Sequence, residues 1–115
     1  MIVEKNRIEG LTVLRVEGII KLGESAEFLA QNLGRVLEKE AGNVVVDLSA
    51  INYIDSTGIG ELVGYLGRFR STGRKLILVN PSDRIRKLLA VAQLDKLFPI
   101  FESIEDVLAA ETKTT

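Results

Sequence analysis

Hydrophobic and polar positions change their period several times along the chain, and each change marks an element. Ile2–Ile8 and Leu11–Glu17 are rich in Val, Ile and Leu, as strands are. Glu9-Gly10 between them reads as a hairpin turn. In the second segment Leu11, Val13, Leu14 and Val16 slip out of strict alternation, which predicts a bulge or a strand covered on both faces. Gly18 closes that segment. From Glu24 to Glu40 the period becomes helical, with Leu29, Leu33, Val36 and Leu37 at i, i+4, i+7 and i+8. Glu24 and Glu27 suit the positive end of that helix's dipole, and Gly42 is a stop signal.

Asn43–Ser49, with three consecutive valines, has the composition of a central strand, and Ala50–Ile54 reads as a connection leading out of it. Ile59, Leu62, Val63, Leu66 and Phe69 then predict a second amphipathic helix ending near Gly73. Leu76–Val79 is a buried strand halted by Asn80-Pro81. Ser82 caps a third helix with Ile85, Leu88, Leu89 and Ala92 on its inner face. Ile100-Phe101 forms a last short strand, and Ser103–Asp106 is a capping-box-like start for a terminal helix using Ile104, Val107 and Leu108. The order is β-β-α-β-α-β-α-β-α. Its alternating second half requires parallel strands joined by right-handed crossovers, with the amino-terminal hairpin as an antiparallel edge. The expected fold class is α/β, a mixed sheet flanked by helices. Residues 1–110 form a single domain in this reading, and 111–115 a polar tail.

Composition narrows the chemistry. The chain has 115 residues, 46% of them hydrophobic, which is enough for one packed core. Fifteen basic residues against sixteen acidic ones leave a formal charge of −1, without the basic excess that phosphate-led nucleic-acid binding needs. Neither cysteine nor histidine occurs, so disulfides, thiolate chemistry, a Ser-His-Asp triad and the usual zinc ligands are all excluded. The expectation is a protein that is not an enzyme and needs no cofactor or metal. No apolar run approaches the roughly 18 residues of a membrane span, and the start lacks a signal-peptide pattern, so a cytoplasmic location follows.

One segment carries candidate chemistry: Asp55-Ser56-Thr57-Gly58-Ile59-Gly60, between a buried strand and the next helix. Ligands and partners gather at such places in open α/β sheets. Asp, Ser and Thr are also good helix caps, so the same residues could serve only to satisfy orphan amides. Gly60, Gly64 and Gly67 form a bare stripe beside the apolar one, and extending the helical phase backwards brings Ser56 onto it. Each interior glycine costs about 1 kcal/mol relative to alanine. Such a stripe fits close docking of another protein, or equally tight packing against the chain's own sheet or a neighbouring helix. The glycine spacing is not the G-x-G-x-x-G of dinucleotide sites. Arg68, Arg70, Arg74 and Lys75 around the end of the second helix, and Arg84, Arg86 and Lys87 on the third, read as solvated faces.

Asp47-Leu48-Ser49 followed by Asp55-Ser56-Thr57-Gly58-Ile59-Gly60 strongly resembles the STAS domain of bacterial anti-sigma factor antagonists. The resemblance continues through Gly64, Gly73–Val79, Asn80-Pro81, Arg86–Leu89 and Leu94–Phe98. It implies a STAS-like fold, a phosphoacceptor at Ser56 and Asp55 as its motif neighbour; the sequence itself leaves Thr57 open as a secondary acceptor. It further implies an anti-sigma factor Ser/Thr kinase as partner. The unphosphorylated form would bind that kinase and free the sigma factor, and a PP2C-type phosphatase would reset the switch. Asp55, Ser56, Thr57, Gly58, Gly60, Gly64 and Lys21 would meet the partner, on a monomer or weak homodimer with no nucleic acid or membrane insertion. Such antagonists often carry an acid in the loop after the second strand, where this chain has Gly18-Ile19-Ile20-Lys21-Leu22-Gly23. That departure bears on partner choice and leaves a second reading, a non-catalytic STAS scaffold or accessory subunit of a stress-sensing or lipid-transport complex.

Overall fold

The computed structural model describes residues 2–113. Strands β1 (Ile2–Ile8) and β2 (Leu11–Ile20) form the expected antiparallel hairpin. Glu9 and Gly10 both take positive φ, 46° and 85°, the conformation of a two-residue turn matched to strand twist. The helices are α1 (Glu24–Lys39), α2 (Ser56–Ser71), α3 (Asp83–Val91) and α4 (Ile104–Lys113). Between them run β3 (Val44–Ile54), β4 (Leu76–Val79) and β5 (Ile100–Phe101). The five strands lie in the order β1-β2-β3-β4-β5, with every pair after the first parallel.

The alternation slip in β2 reflects both causes at once. Register against β3 shifts between Arg15 and Glu17 and again between Gly18 and Ile19. The strand is also buried on both faces. Leu14, Val16 and Ile20 join a core under α1, α2 and α3, while Leu11 and Val13 join a smaller one with Val45, Ile77 and Val107 of α4.

Three boundaries differ from the sequence reading. Gly18 does not end β2 but sits within it at φ 101°, beside the second register shift. Likewise Ala50–Ile54 is not a connection, because β3 continues through it, pairing Ile51 with Gly18 and Ile54 with Ile20. The two longest strands therefore end side by side, and the loops leaving them meet. The terminal helix also runs past residue 110, where Asn43 Nδ2 donates to Glu111 Oε1 at 2.8 Å. Thr114 and Thr115 of the polar tail lie outside the described residues.

The far ends of α1 and α2 are locked together by Arg74, which is not part of a solvated face. Its guanidinium donates to the carbonyls of Gly42 (2.6 Å), Leu37 (2.9 Å) and Val36 (3.3 Å), closing the orphan end of α1. It also lies 4.6 Å above the Phe69 ring. Arg70 is likewise engaged, donating to the Leu97 carbonyl at 2.7 Å. With one end of the helix pair tied down, the amino-terminal ends of α1 and α2 stand on a rigid base where β2 and β3 finish.

Candidate functional site

Where β3 passes into α2, the backbone N–H of Asp55 still donates to Ile20 O at 3.0 Å, continuing the sheet one residue beyond the strand. Asp55 is the N-cap of α2, in extended backbone. Its Oδ1 accepts from the Gly58 amide at 2.9 Å, and its Oδ2 accepts from the Leu22 amide at 2.9 Å. One carboxylate thus caps a helix and holds the loop after β2 against it. The Gly58 amide does most to hold the Asp55 carboxyl below its ordinary pKa, followed by the Leu22 amide. Smaller contributions come from the Thr57 amide and the Lys21 ammonium, while desolvation opposes them. The loop itself is pinned by Ser25, whose Oγ accepts from the Lys21 amide at 2.8 Å and donates to the Lys21 carbonyl at 3.0 Å.

Because Asp55 does the capping, Ser56 is spared that task. Ser56 is the first residue of α2 and is exposed. No hydrogen bond of its side chain occurs among the described residues. Thr57 is half-buried. Of three consecutive candidate caps, the fold uses one.

The glycines divide the same way. A Cβ on Gly58 would lie 2.6 Å from Ile20 Cγ2 and 2.8 Å from Ile54 Cγ1. That residue is buried where α2 packs on the ends of β2 and β3, whereas the sequence reading lists it among the residues that would meet a partner. Gly60, Gly64 and Gly67 are exposed, and a Cβ on any of them would meet nothing within 4 Å. The strip is not used for packing inside the chain, which removes one of its two readings. Ser56, Gly60, Gly64 and Gly67 form an uncovered, nearly flat band along α2.

Between the end of β2 and the first turns of α1 lies a cleft of about 660 Å³ lined by Ile19, Lys21, Leu22, Glu24, Phe28 and Gln31, with Ser25 and Glu27. Leu22 is 75% exposed, Ile19 47% and Phe28 38%. Of this set the sequence reading places only Lys21 among the residues that would meet a partner. The usable signal is that Phe28 falls one position off the Leu29/Leu33/Val36 stripe and so cannot point into the core with it. Lys21 is exposed and lines the cleft. Among the described residues no cluster of acids could hold a metal ion, and no helix is long and apolar enough to cross a membrane.

The fold is thus a mixed five-stranded sheet with an aspartate-capped helix offering an exposed serine at the end of its central strand. The chain matches the STAS domain family over residues 3–107, and it belongs to that family. The anti-sigma-B factor antagonist of Listeria monocytogenes is 31% identical over 86 residues, which are 71% of this chain and 75% of that relative. The crystal structure of an anti-sigma factor antagonist from Mycobacterium paratuberculosis superposes with a TM-score of 0.85 at 26% identity, covering 95% of this chain and 92% of the other. The antagonist SpoIIAA has the same fold in its unphosphorylated form, with a TM-score of 0.82 at 17% identity over 97% of both chains. The phosphorylated form of SpoIIAA from Bacillus also matches, with a TM-score of 0.73 at 16% identity, covering 95% of this chain and 98% of the other.

Proposed function

We propose that this protein is an anti-sigma factor antagonist that works as a switch: unphosphorylated, it binds an anti-sigma factor Ser/Thr kinase and releases the sigma factor, and phosphorylation of Ser56 ends that binding. The observation that carries this reading is the Ser56 hydroxyl, exposed at the first turn of α2 and relieved of capping by Asp55. In the transfer step Ser56 Oγ bonds to the γ-phosphorus of ATP. The bond from that phosphorus to the β–γ bridging oxygen breaks and ADP leaves, while the hydroxyl proton passes to a base of the kinase. A PP2C-type phosphatase hydrolyses the phosphoserine to reset the protein. Thr57, half-buried, is the less accessible acceptor.

The physics of the switch follows from the surroundings of Ser56. A phosphate adds about −1.5 to −2 charges and three strong acceptors. At a helix amino terminus the free amides and the dipole favour an anion, so the isolated domain keeps its fold. A partner docked over the glycine band and the Ile19/Leu22/Phe28 cleft would have to desolvate that charge. A loss of about 3 kcal/mol in binding is roughly 150-fold in affinity. Phosphorylation then acts by spoiling an interface and leaves the chain folded.

The reading is tested by incubating the protein with its cognate anti-sigma kinase and ATP and locating phosphate by mass spectrometry. One phosphate on Ser56 is expected, absent from Ser56→Ala. A phosphate of equal yield on the Ser56→Ala variant would overturn it.

A further inference from the structure

We propose that Lys21 is the built-in counter-ion of phosphorylated Ser56, so that the loop after β2 clamps the phosphate from within the same chain; this rests on Ser56 being the phosphoacceptor. Two hydrogen bonds bracket Lys21 against the Asp55–Ser56 corner. The residue before it, Ile20, accepts from the Asp55 amide at 3.0 Å, and the residue after it, Leu22, donates to Asp55 Oδ2 at 2.9 Å. The Lys21 backbone is fixed a second time by Ser25 Oγ, which bonds both its N–H and its C=O, and by the Ala26 amide, which donates to the same carbonyl at 3.1 Å. Lys21 is exposed on this fixed backbone, one residue from the Leu22 amide that meets Asp55. Its ammonium forms no ion pair within 4 Å among the described residues, although it lies near enough to the Asp55 carboxyl to stabilise the charged form. The cation is therefore available, and the charge it lacks is the one that modification of Ser56 creates.

The surrounding charges do not supply that role. Asp55, Glu24 and Glu27 are of the wrong sign, as is the half-buried Glu61 further along α2. On α3, Arg84 is held over the Tyr53 ring, 5.7 Å from its centroid. Once Lys21 closes on the phosphate, one acceptor of the phosphate and the ammonium are satisfied together. A partner that could otherwise rescue the interface by offering its own cation would first have to displace this one. The clamp deepens the off state.

The test needs no kinase. Phosphoserine is installed at position 56 by genetic encoding, and its second ionisation is followed by phosphorus NMR at low salt. A neighbouring cation favours the dianion, so replacing it raises the pKa. With Lys21→Gln the phosphate pKa is expected to rise by about 0.5, a threefold change in proton affinity, the size of an exposed ion pair. That difference should vanish in about 1 M NaCl, where the Debye length is about 3 Å. Lys75→Gln, at the opposite end of the sheet, should leave the pKa where it is. Identical pKa values for the wild type and Lys21→Gln at low salt, or an equal rise with Lys75→Gln, would overturn the assignment. Undiminished kinase binding by the phosphoserine protein would instead sink the switch reading and leave the titration result standing.

Discussion

At the residue scale the site turns on a division of labour between neighbours. Asp55 takes the structural duty, accepting from Gly58 on its own helix and from Leu22 on the loop after β2, and Ser56 is left exposed. Replacing Ser56 with Ala or Asp should therefore leave the melting temperature within about 2 °C, since a surface change away from such contacts costs little. A large drop for Ser56→Ala in thermal unfolding would mean that the hydroxyl is structural after all. Asp55 should behave in the opposite way, and its effect should depend on pH. Folding lowers its pKa, so its contribution is complete above the unfolded-state value and is lost as pH falls through the folded one. The gap in melting temperature between wild type and Asp55→Ala should be widest at neutral pH and narrow below about pH 4. A gap that stays constant from pH 7 to pH 3 would contradict this account. The sequence marks the Asp-Ser-Thr run but does not separate the roles within it. Any of the three can cap, and only the path of the chain reveals which one faces the Leu22 amide.

At the element scale α2 carries two kinds of glycine, and they predict opposite outcomes. Gly58→Ala would push a methyl into Ile20 and Ile54 and should cost about 1–3 kcal/mol, as overpacking does. Gly60→Ala and Gly64→Ala meet open space and should each stabilise the free protein by about 0.5–1 kcal/mol, while weakening kinase binding by roughening the band. Urea denaturation and titration calorimetry on the same three proteins would read both effects. Stabilised variants that bind as well as the wild type would remove the glycine band from the interface. Much of this architecture was legible in the residues. The hairpin, the apolar stripes of α1 and α2, the Ser82 cap and the order of strands follow from period and turn chemistry, and Ser82 indeed accepts from the Ile85 amide at 3.2 Å. The length of β3 was not legible, because Ala50–Ile54 lacks the valine density of Val44–Val46 and is held as strand by pairing with β2. The role of Arg74 is hidden from the sequence for a related reason. Its three carbonyl acceptors lie 32 to 38 residues away in sequence, beyond the reach of any local pattern.

At the scale of the whole molecule, a sheet with helices on both faces leaves one end where β2 and β3 finish together and α1 and α2 begin. That end carries the exposed serine, the start of the bare helical band and the Ile19/Leu22/Phe28 cleft, over a base fixed by Asp55 and, at the far end, by Arg74. The proposed switch asks little of the fold: the domain need not change shape, only the charge of the face it presents. Disrupting the cleft should weaken docking without unfolding, so Leu22→Asp is expected to keep the wild-type melt and to lose kinase affinity at least tenfold, the cost of one misplaced charge of about 1.4 kcal/mol. Unchanged affinity would take the cleft out of the interface. The most direct test compares the unmodified protein with the form carrying phosphoserine at position 56, by calorimetric titration into the cognate anti-sigma kinase. A fall in affinity of roughly 150-fold, with matching thermal melts for the two forms, is the predicted result; equal affinities, or a phosphorylated form that unfolds, would contradict the account.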